Sequence, residues 1–238
     1  MFIGYKFIVL LATTFLLSVT GCRNYSSSQP EASRGLVILE RTEWTNQWVE
    51  DTRDTSLPRL LLIGDSHVQQ YYPYVKRELE GQFLFGRFTS SKCIGNPYLV
   101  REIKTFLEQY PCDVLVFNNG LHGPEYPDTV YATALPLVLK MFKAVRPEAK
   151  IIWVNTTPRR NSQNLNKFLP ATEQIKARNR AVKVFADRYN LPVVDLWSIG
   201  YEHPEYYSKD GTHFNEAGKK AEANAVSQTI RNIVFGGR

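Results

Sequence analysis

Leu60-Leu61-Leu62-Ile63-Gly64-Asp65-Ser66-His67 is the stretch whose reading decides the fold. A short branched apolar run such as Leu60 to Ile63 reads as a buried strand, and a helix-length segment from His67 to Glu80 follows it. Ser66 therefore falls on the turn between a strand and a helix. The same alternation recurs along the chain. Phe83 to Phe88, Val114 to Phe117, Ile151 to Asn155 and Pro192 to Val194 read as further strands. Tyr98 to Tyr110, Asp128 to Val145, Thr172 to Tyr189 and Asn215 to Phe235 read as helices. Parallel strands need crossover connections, so this order predicts an α/β fold of three layers, α/β/α, around a mostly parallel five-stranded sheet. In such sheets the site lies at the carboxyl ends of the strands.

The residues just past each predicted strand are the ones with chemistry. Gly64 to His67 follow the first, Ser90 to Asn96 the second, Asn118 to His122 the third and Thr156 to Arg160 the fourth; the fifth leads to a loop holding Asp210 and His213. Leu36 to Pro58 contains Trp44, Trp48 and several charges and has no assigned element; a short helix outside the sheet is one reading of it. No internal repeat or low-complexity tract appears from Leu36 onward.

The whole chain has 238 residues, 43% hydrophobic, 13% aromatic and 22% charged, which is the composition of a globular protein rather than a disordered one. Its net charge of +6 comes from Lys and Arg scattered among acids, with no long basic run. That distribution favours a solvated basic surface over a nucleic-acid partner. A monomer is expected.

The N-terminus carries an address. Phe7 to Val19 is almost wholly apolar, Lys6 supplies a positive flank, and small residues precede Cys22. Leu17-Ser18-Val19-Thr20-Gly21-Cys22 also resembles the lipobox of bacterial lipoproteins, in which lipid is attached to the Cys. Residues 1–22 are thus read as a signal peptide ending at the lipid-attachment residue Cys22, 23–35 as a flexible tether, and 36–238 as one domain. An uncleaved membrane anchor, or a plain secretory signal with Cys22 incidental, is the competing reading. Either anchor predicts a place in the cell envelope, facing the periplasm or the exterior.

A Ser between a buried strand and a helix is either a helix cap or a nucleophile whose developing charge faces helix N-terminal amides. On position alone the cap is the simpler reading. Asp210-Gly211-Thr212-His213 shifts the balance, because it delivers a carboxylate and an imidazole from one tight loop just before the last helix. In triad logic His213 takes the proton of Ser66 and Asp210 orients His213.

Gly64-Asp65-Ser66 near the domain start and Asp210-x-x-His213 near its end resemble the first and last motif blocks of the SGNH/GDSL hydrolases. The likeness extends over essentially the whole domain from about Leu60. It implies a flavodoxin-like fold and a serine esterase acting on an O-acetylated glycan or lipid-like ester, without a cofactor. The middle blocks depart from the usual pattern. Phe117-Asn118-Asn119-Gly120-Leu121-His122 looks like a variant branch with Phe-Asn-x-Gly-Leu-His in the third block. Asn118 then comes first as an oxyanion-hole residue. His122 comes second, as a donor or as a structural histidine. Gly95 is the candidate backbone donor of the second block, ahead of Gly86, which lies within a strand pattern.

Asp65, His67, Arg159 and Arg160 are candidate substrate-binding residues. His67 alternatively faces solvent at the helix start, and the two arginines are alternatively ordinary loop residues. The four histidines lack zinc spacing, so no metal is implied. Cys93 and Cys112 are expected at opposite edges of the sheet, on the order of 15 Å apart by strand rise, which predicts two free thiols. Two other activities stay open on the same residues: an O-acyltransferase acting on an envelope glycan, and a surface-binding lipoprotein that has lost turnover.

Overall fold

In the computed structural model Met1 and residues 37–236 are described. The segments expected to be an export signal, a lipobox ending at Cys22 and a tether lie outside the described residues. The domain runs β1 (Thr45–Val49), β2 (Arg59–Gly64), α1 (Ser66–Glu78), β3 (Leu84–Ser90), α2 (Pro97–Gln109), β4 (Val114–Asn118), α3 (Asp128–Val145) and β5 (Lys150–Val154). A hairpin of β6 (Arg160–Asn161) and β7 (Asn164–Phe168) follows. Then come α4 (Thr172–Tyr189), β8 (Val193–Val194), α5 (Leu196–Glu202), a 3₁₀ turn over Pro204–Tyr206 and α6 (Glu216–Phe235).

The main sheet has six strands in the order β1-β3-β2-β4-β5-β8. Five of them, β3-β2-β4-β5-β8, are parallel neighbours, in the doubly wound order of flavodoxin-like folds. The α/β architecture expected from the alternation is borne out, with one strand more than the five expected. The extra strand is β1, which runs antiparallel to β3 with Thr45 opposite Ser90 and Val49 opposite Gly86. It corrects the idea of a helix between Leu36 and Pro58. Thr-Asn-Gln-Trp-Val is mostly exposed, and a short polar strand is well suited to closing a sheet edge that would otherwise invite other chains to pair.

Alternation along the central strands sends side chains into two cores, since successive residues of a strand face opposite ways. Leu61, Ile63, Leu115, Phe117, Ile151 and Trp153 face α2, α3 and α4. Leu60, Leu62, Val114, Val116, Ile152 and Val154 face α1 and α6. Both faces of β2 are therefore buried, which is why it reads as an unbroken apolar run. Trp153 anchors the first core, its ring 4.7 Å from that of Phe117 and 4.9 Å from that of Phe185.

The end of β2 is drawn tight. A side chain at Gly64 would collide with Val68 of α1 and approach the Asn118 carbonyl of β4 to 2.8 Å. Glycine thus lets strand, neighbouring strand and helix converge where the chain turns. Asp65 caps α1, its Oδ1 accepting from the His67 amide at 2.9 Å. Ser66 is left as the first residue of the helix, at the carboxyl edge of the sheet.

Candidate active site

The loop between the 3₁₀ turn and α6 brings Asp210 and His213 to Ser66. Ser66 Oγ lies 2.8 Å from His213 Nε2, and His213 Nδ1 lies 2.7 Å from Asp210 Oδ2. The other carboxylate oxygen, Oδ1, accepts from the amides of Thr212 (2.8 Å) and His213 (2.9 Å) and from the Ser208 hydroxyl (2.9 Å). Partial burial works against the Asp210 charge, yet the Thr212 amide, the His213 side chain and amide and the Ser208 hydroxyl outweigh it and hold the carboxyl well below its usual range. Asp210 therefore stays ionised through the working pH range and fixes a proton on His213 Nδ1, leaving Nε2 free to accept from the serine.

The loop keeps its shape for stated reasons. Gly211 has φ +69°, and any side chain on it would run into the Arg160 backbone. Its carbonyl accepts from the Arg160 amide at 2.6 Å. The His213 carbonyl accepts from both the amide (2.8 Å) and the hydroxyl (2.9 Å) of Ser208.

Ser66, Asp210, Thr212 and His213 open into a pocket of about 600 Å³. Its remaining wall comes from Leu39, Glu40, Arg41 and Trp44, from Leu121, His122, Pro124 and Glu125, and from Arg159. Glu40 locks two of these segments together: its carboxylate accepts from the Gly123 amide at 2.7 Å and sits 3.1 Å from His122 Nδ1. Tyr126 clamps them again, donating to the Ile38 carbonyl at 3.1 Å and accepting from the Ile38 amide at 2.8 Å. Trp44 meets the His122 ring edge-on with centroids 6.3 Å apart. The wall is mixed in character, an indole and two leucines among Glu40, Arg41, Glu125 and Arg159.

The candidates named from the sequence divide. His122 and Arg159 line the pocket; Asp65, His67, Gly95, Asn118 and Arg160 do not. Asn118 cannot serve as an oxyanion donor in this arrangement, because its amide nitrogen already donates to the carbonyls of Val154 (3.2 Å) and Asn155 (3.1 Å). The Gly95 amide faces the Cys93 sulfur at 3.5 Å. His67 neither faces solvent nor lines the pocket: it is buried, with Nδ1 2.7 Å from Glu222 and Nε2 donating to the Thr212 carbonyl at 3.1 Å. Arg160 is a buried tie, not a substrate contact. Its guanidinium donates to the carbonyls of Gly200 (2.9 Å), Tyr201 (2.6 Å) and Leu165 (2.8 Å) and lies 4.4 Å from the Phe168 ring. Cys93 and Cys112 are both buried free thiols, and burial pushes the Cys112 thiol up to about 12.

Sequence reasoning missed Glu40, Arg41, Trp44, Glu125 and Glu222. The first three sit in the segment left unassigned. Glu222 did leave a signal, a lone acid in register with Val226 and Ile230 on the apolar side of the last helix. Among the described residues, no group of His, Cys, Asp and Glu is placed to hold a metal ion, and no helix is long and apolar enough to cross a membrane.

Known proteins share this architecture. A catalytic mutant of an acetylxylan esterase from Geobacillus stearothermophilus superposes with TM-score 0.56 at 18% identity, over 73% of this chain and 94% of that one. A GDSL-like lipase from Bacteroides thetaiotaomicron gives TM-score 0.61 at 14% identity, over 74% and 89%. A member of the lipolytic G-D-S-L family from Veillonella parvula gives 0.57 at 13%, over 75% and 98%. At these identities the likeness speaks for the fold. No curated protein matches the sequence significantly. The family model of the GDSL-like lipases and acylhydrolases matches residues 89–221, more than half of the chain and including the loop of Asp210 and His213. The chain belongs to the GDSL-like lipase/acylhydrolase family and is an ester hydrolase of the SGNH type.

Proposed function

We propose that the domain hydrolyses an oxygen ester through a covalent acyl-Ser66 intermediate, and that it works as a monomer in the cell envelope, held to the membrane by lipid on Cys22. The unbroken hydrogen-bond chain Ser66–His213–Asp210 carries the catalytic part. Ser66 Oγ attacks the ester carbonyl as His213 Nε2 takes its proton, and the carbonyl π pair moves onto oxygen. The Ser66 amide, first in α1 and without an intrahelical acceptor, faces that oxyanion from the positive end of the helix. Collapse expels the alcohol, which receives the proton from His213. Water then repeats the attack on acyl-Ser66 with His213 again as base, releasing the carboxylic acid and restoring the serine.

The pocket supports an acylated sugar as substrate. An indole face packs against the C–H face of a sugar ring. Carboxylates and guanidinium groups in the lining suit its hydroxyls, and a space of about 600 Å³ takes a short acyl group with part of a glycan. The charged side chains in the lining, Glu40, Arg41, Glu125 and Arg159, speak against a long acyl chain as the main recognition element.

Treatment of the full chain with a fluorophosphonate probe is expected to label Ser66 and abolish p-nitrophenyl acetate hydrolysis. Ser66→Ala should lose on the order of 10⁶-fold in kcat. Undiminished hydrolysis by Ser66→Ala would falsify the mechanism. Release of acetate from O-acetylated glycan, with none of the acyl group appearing on added acceptor sugar, is the outcome expected for a hydrolase rather than a transferase.

A further inference from the structure

Two hydrogen bonds lie side by side between the first turn of α1 and the loop over 210–213. Ser66 Oγ meets His213 Nε2 at 2.8 Å, and one residue along on each strand of chain His67 Nε2 donates to the Thr212 carbonyl at 3.1 Å. The first contact must open in every turnover, because the serine oxygen becomes an ester and its proton leaves. The second involves no reacting atom.

His67 is equipped to hold that second contact permanently. Its Nδ1 lies 2.7 Å from Glu222 Oε1, with side-chain exposures of 3% and 0%. The Thr157 hydroxyl stands 3.3 Å from Nε2, and the Phe214 ring packs edge-on at 5.5 Å. The Thr212 carbonyl can only accept, so Nε2 carries hydrogen whichever partner, imidazole or carboxyl, holds the proton between His67 and Glu222. A buried ionisable pair is a poor way to gain stability, since apolar residues of similar volume often do as well or better. Here it fixes one acceptor, the carbonyl directly before His213.

We propose that His67, braced by Glu222, is a positioning residue that keeps the His213 loop at bonding distance from Ser66 while the serine is acylated. The role rests on the acyl-Ser66 reading above. Without the brace the loop keeps its ties to Arg160, at the Gly211 carbonyl, and to Arg159, at the Thr212 hydroxyl, but its one remaining hydrogen bond to α1, the helix that carries Ser66, is the reacting Ser66–His213 contact.

The test replaces both partners, His67→Leu with Glu222→Leu, in the full chain and follows p-nitrophenyl acetate. Thermal stability should be unchanged or higher, KM within about twofold, and kcat lower by about a hundredfold, the scale of loss that a misplacement of about 1 Å produces. The paired amides His67→Gln with Glu222→Gln keep an N–H for the Thr212 carbonyl and should recover most of that loss. A folded double-leucine variant with wild-type kcat overturns the proposal, as does a double-glutamine variant no faster than it. If the leucines prevent folding, proton NMR of the wild type decides: the His67 ring N–H signals should stay in place when the fluorophosphonate modifies Ser66, and disappearance of those signals overturns the brace. Ser66→Ala run in parallel keeps the two ideas apart. Activity in that variant sinks the acyl-Ser66 reading, whereas its inactivity beside a fully active double-leucine variant sinks only the positioning role.

Discussion

Two histidine–carboxylate pairs stand with ring centroids 5.8 Å apart, and both close at 2.7 Å. His213 with Asp210 is partly open to solvent, at 31% and 51% exposure, while His67 with Glu222 is sealed. The bond length does not separate them; access does. An imidazole that must pass a proton between serine, alcohol and water needs a free nitrogen and a route for substrate. One with both nitrogens occupied and no route can only hold a neighbour. The adjacent arginines repeat the contrast: Arg159 reaches the pocket wall, and Arg160 spends its guanidinium on three backbone carbonyls.

The comparison breaks most readily at Asp210. Asp210→Asn keeps a polar group of the same shape but loses the charged acceptor that selects the His213 tautomer, so kcat for p-nitrophenyl acetate should fall by about 10⁴-fold, beyond any lowering of the melting temperature, in protein that is still folded at the assay temperature. A loss under tenfold would mean that the exposed pair is not the working one. The arginines offer a smaller contrast. Arg160→Ala should cost about 3 kcal/mol of stability in denaturant unfolding, because buried carbonyls lose a charged donor. Arg159→Ala should cost less than about 0.5 kcal/mol and register only in the relative rates on anionic and neutral esters. Equal stability losses would erase the distinction.

The sealed pair also predicts a pH dependence. Burial opposes the His67 cation, yet the Glu222 charge overcomes it and lifts His67 from 6.5 to about 9. Burial likewise lifts the Glu222 carboxyl while His67 pulls it back, so the two share a proton across neutral pH. A group raised in the folded state stabilises fully below its unfolded value and loses that contribution as pH climbs through the folded one. Unfolding free energy should therefore decline between pH 6.5 and 9. The decline should vanish in the double-leucine variant. The Asp210 contribution has the opposite sign, present above its ordinary value of 3.8 and lost only in acid.

Much of this is legible in the sequence. Helices α3 and α4 fall on the residues their apolar spacing predicts, and β2, β3, β4, β5 and β8 fall within two residues of theirs. Burial on both faces leaves apolar runs that need no partner to be recognised. β1 and the hairpin β6–β7 were not legible, since Thr-Asn-Gln-Trp-Val and Asn-Leu-Asn-Lys-Phe are largely exposed and paired by edge hydrogen bonds that leave no hydrophobic period. In the site, the Asp-x-x-His spacing is a local fact of one loop and could be read. Whether Asn118 turns its amide to a substrate or to two carbonyls depends on how β4 packs against the end of β5. No spacing rule contains that.

The outer wall of the pocket has a consequence of its own. Leu39, Glu40, Arg41 and Trp44 precede the first strand, and the Glu40 and Tyr126 ties are what seat them. One side of the pocket is thus supplied by a segment that precedes every strand of the sheet, while Ser66 and the loop over 210–213 come from later in the chain. Shortening the chain from its beginning, past Trp44, would strip that side away and leave the serine facing a half-walled cleft of Leu121, His122, Glu125 and Arg159.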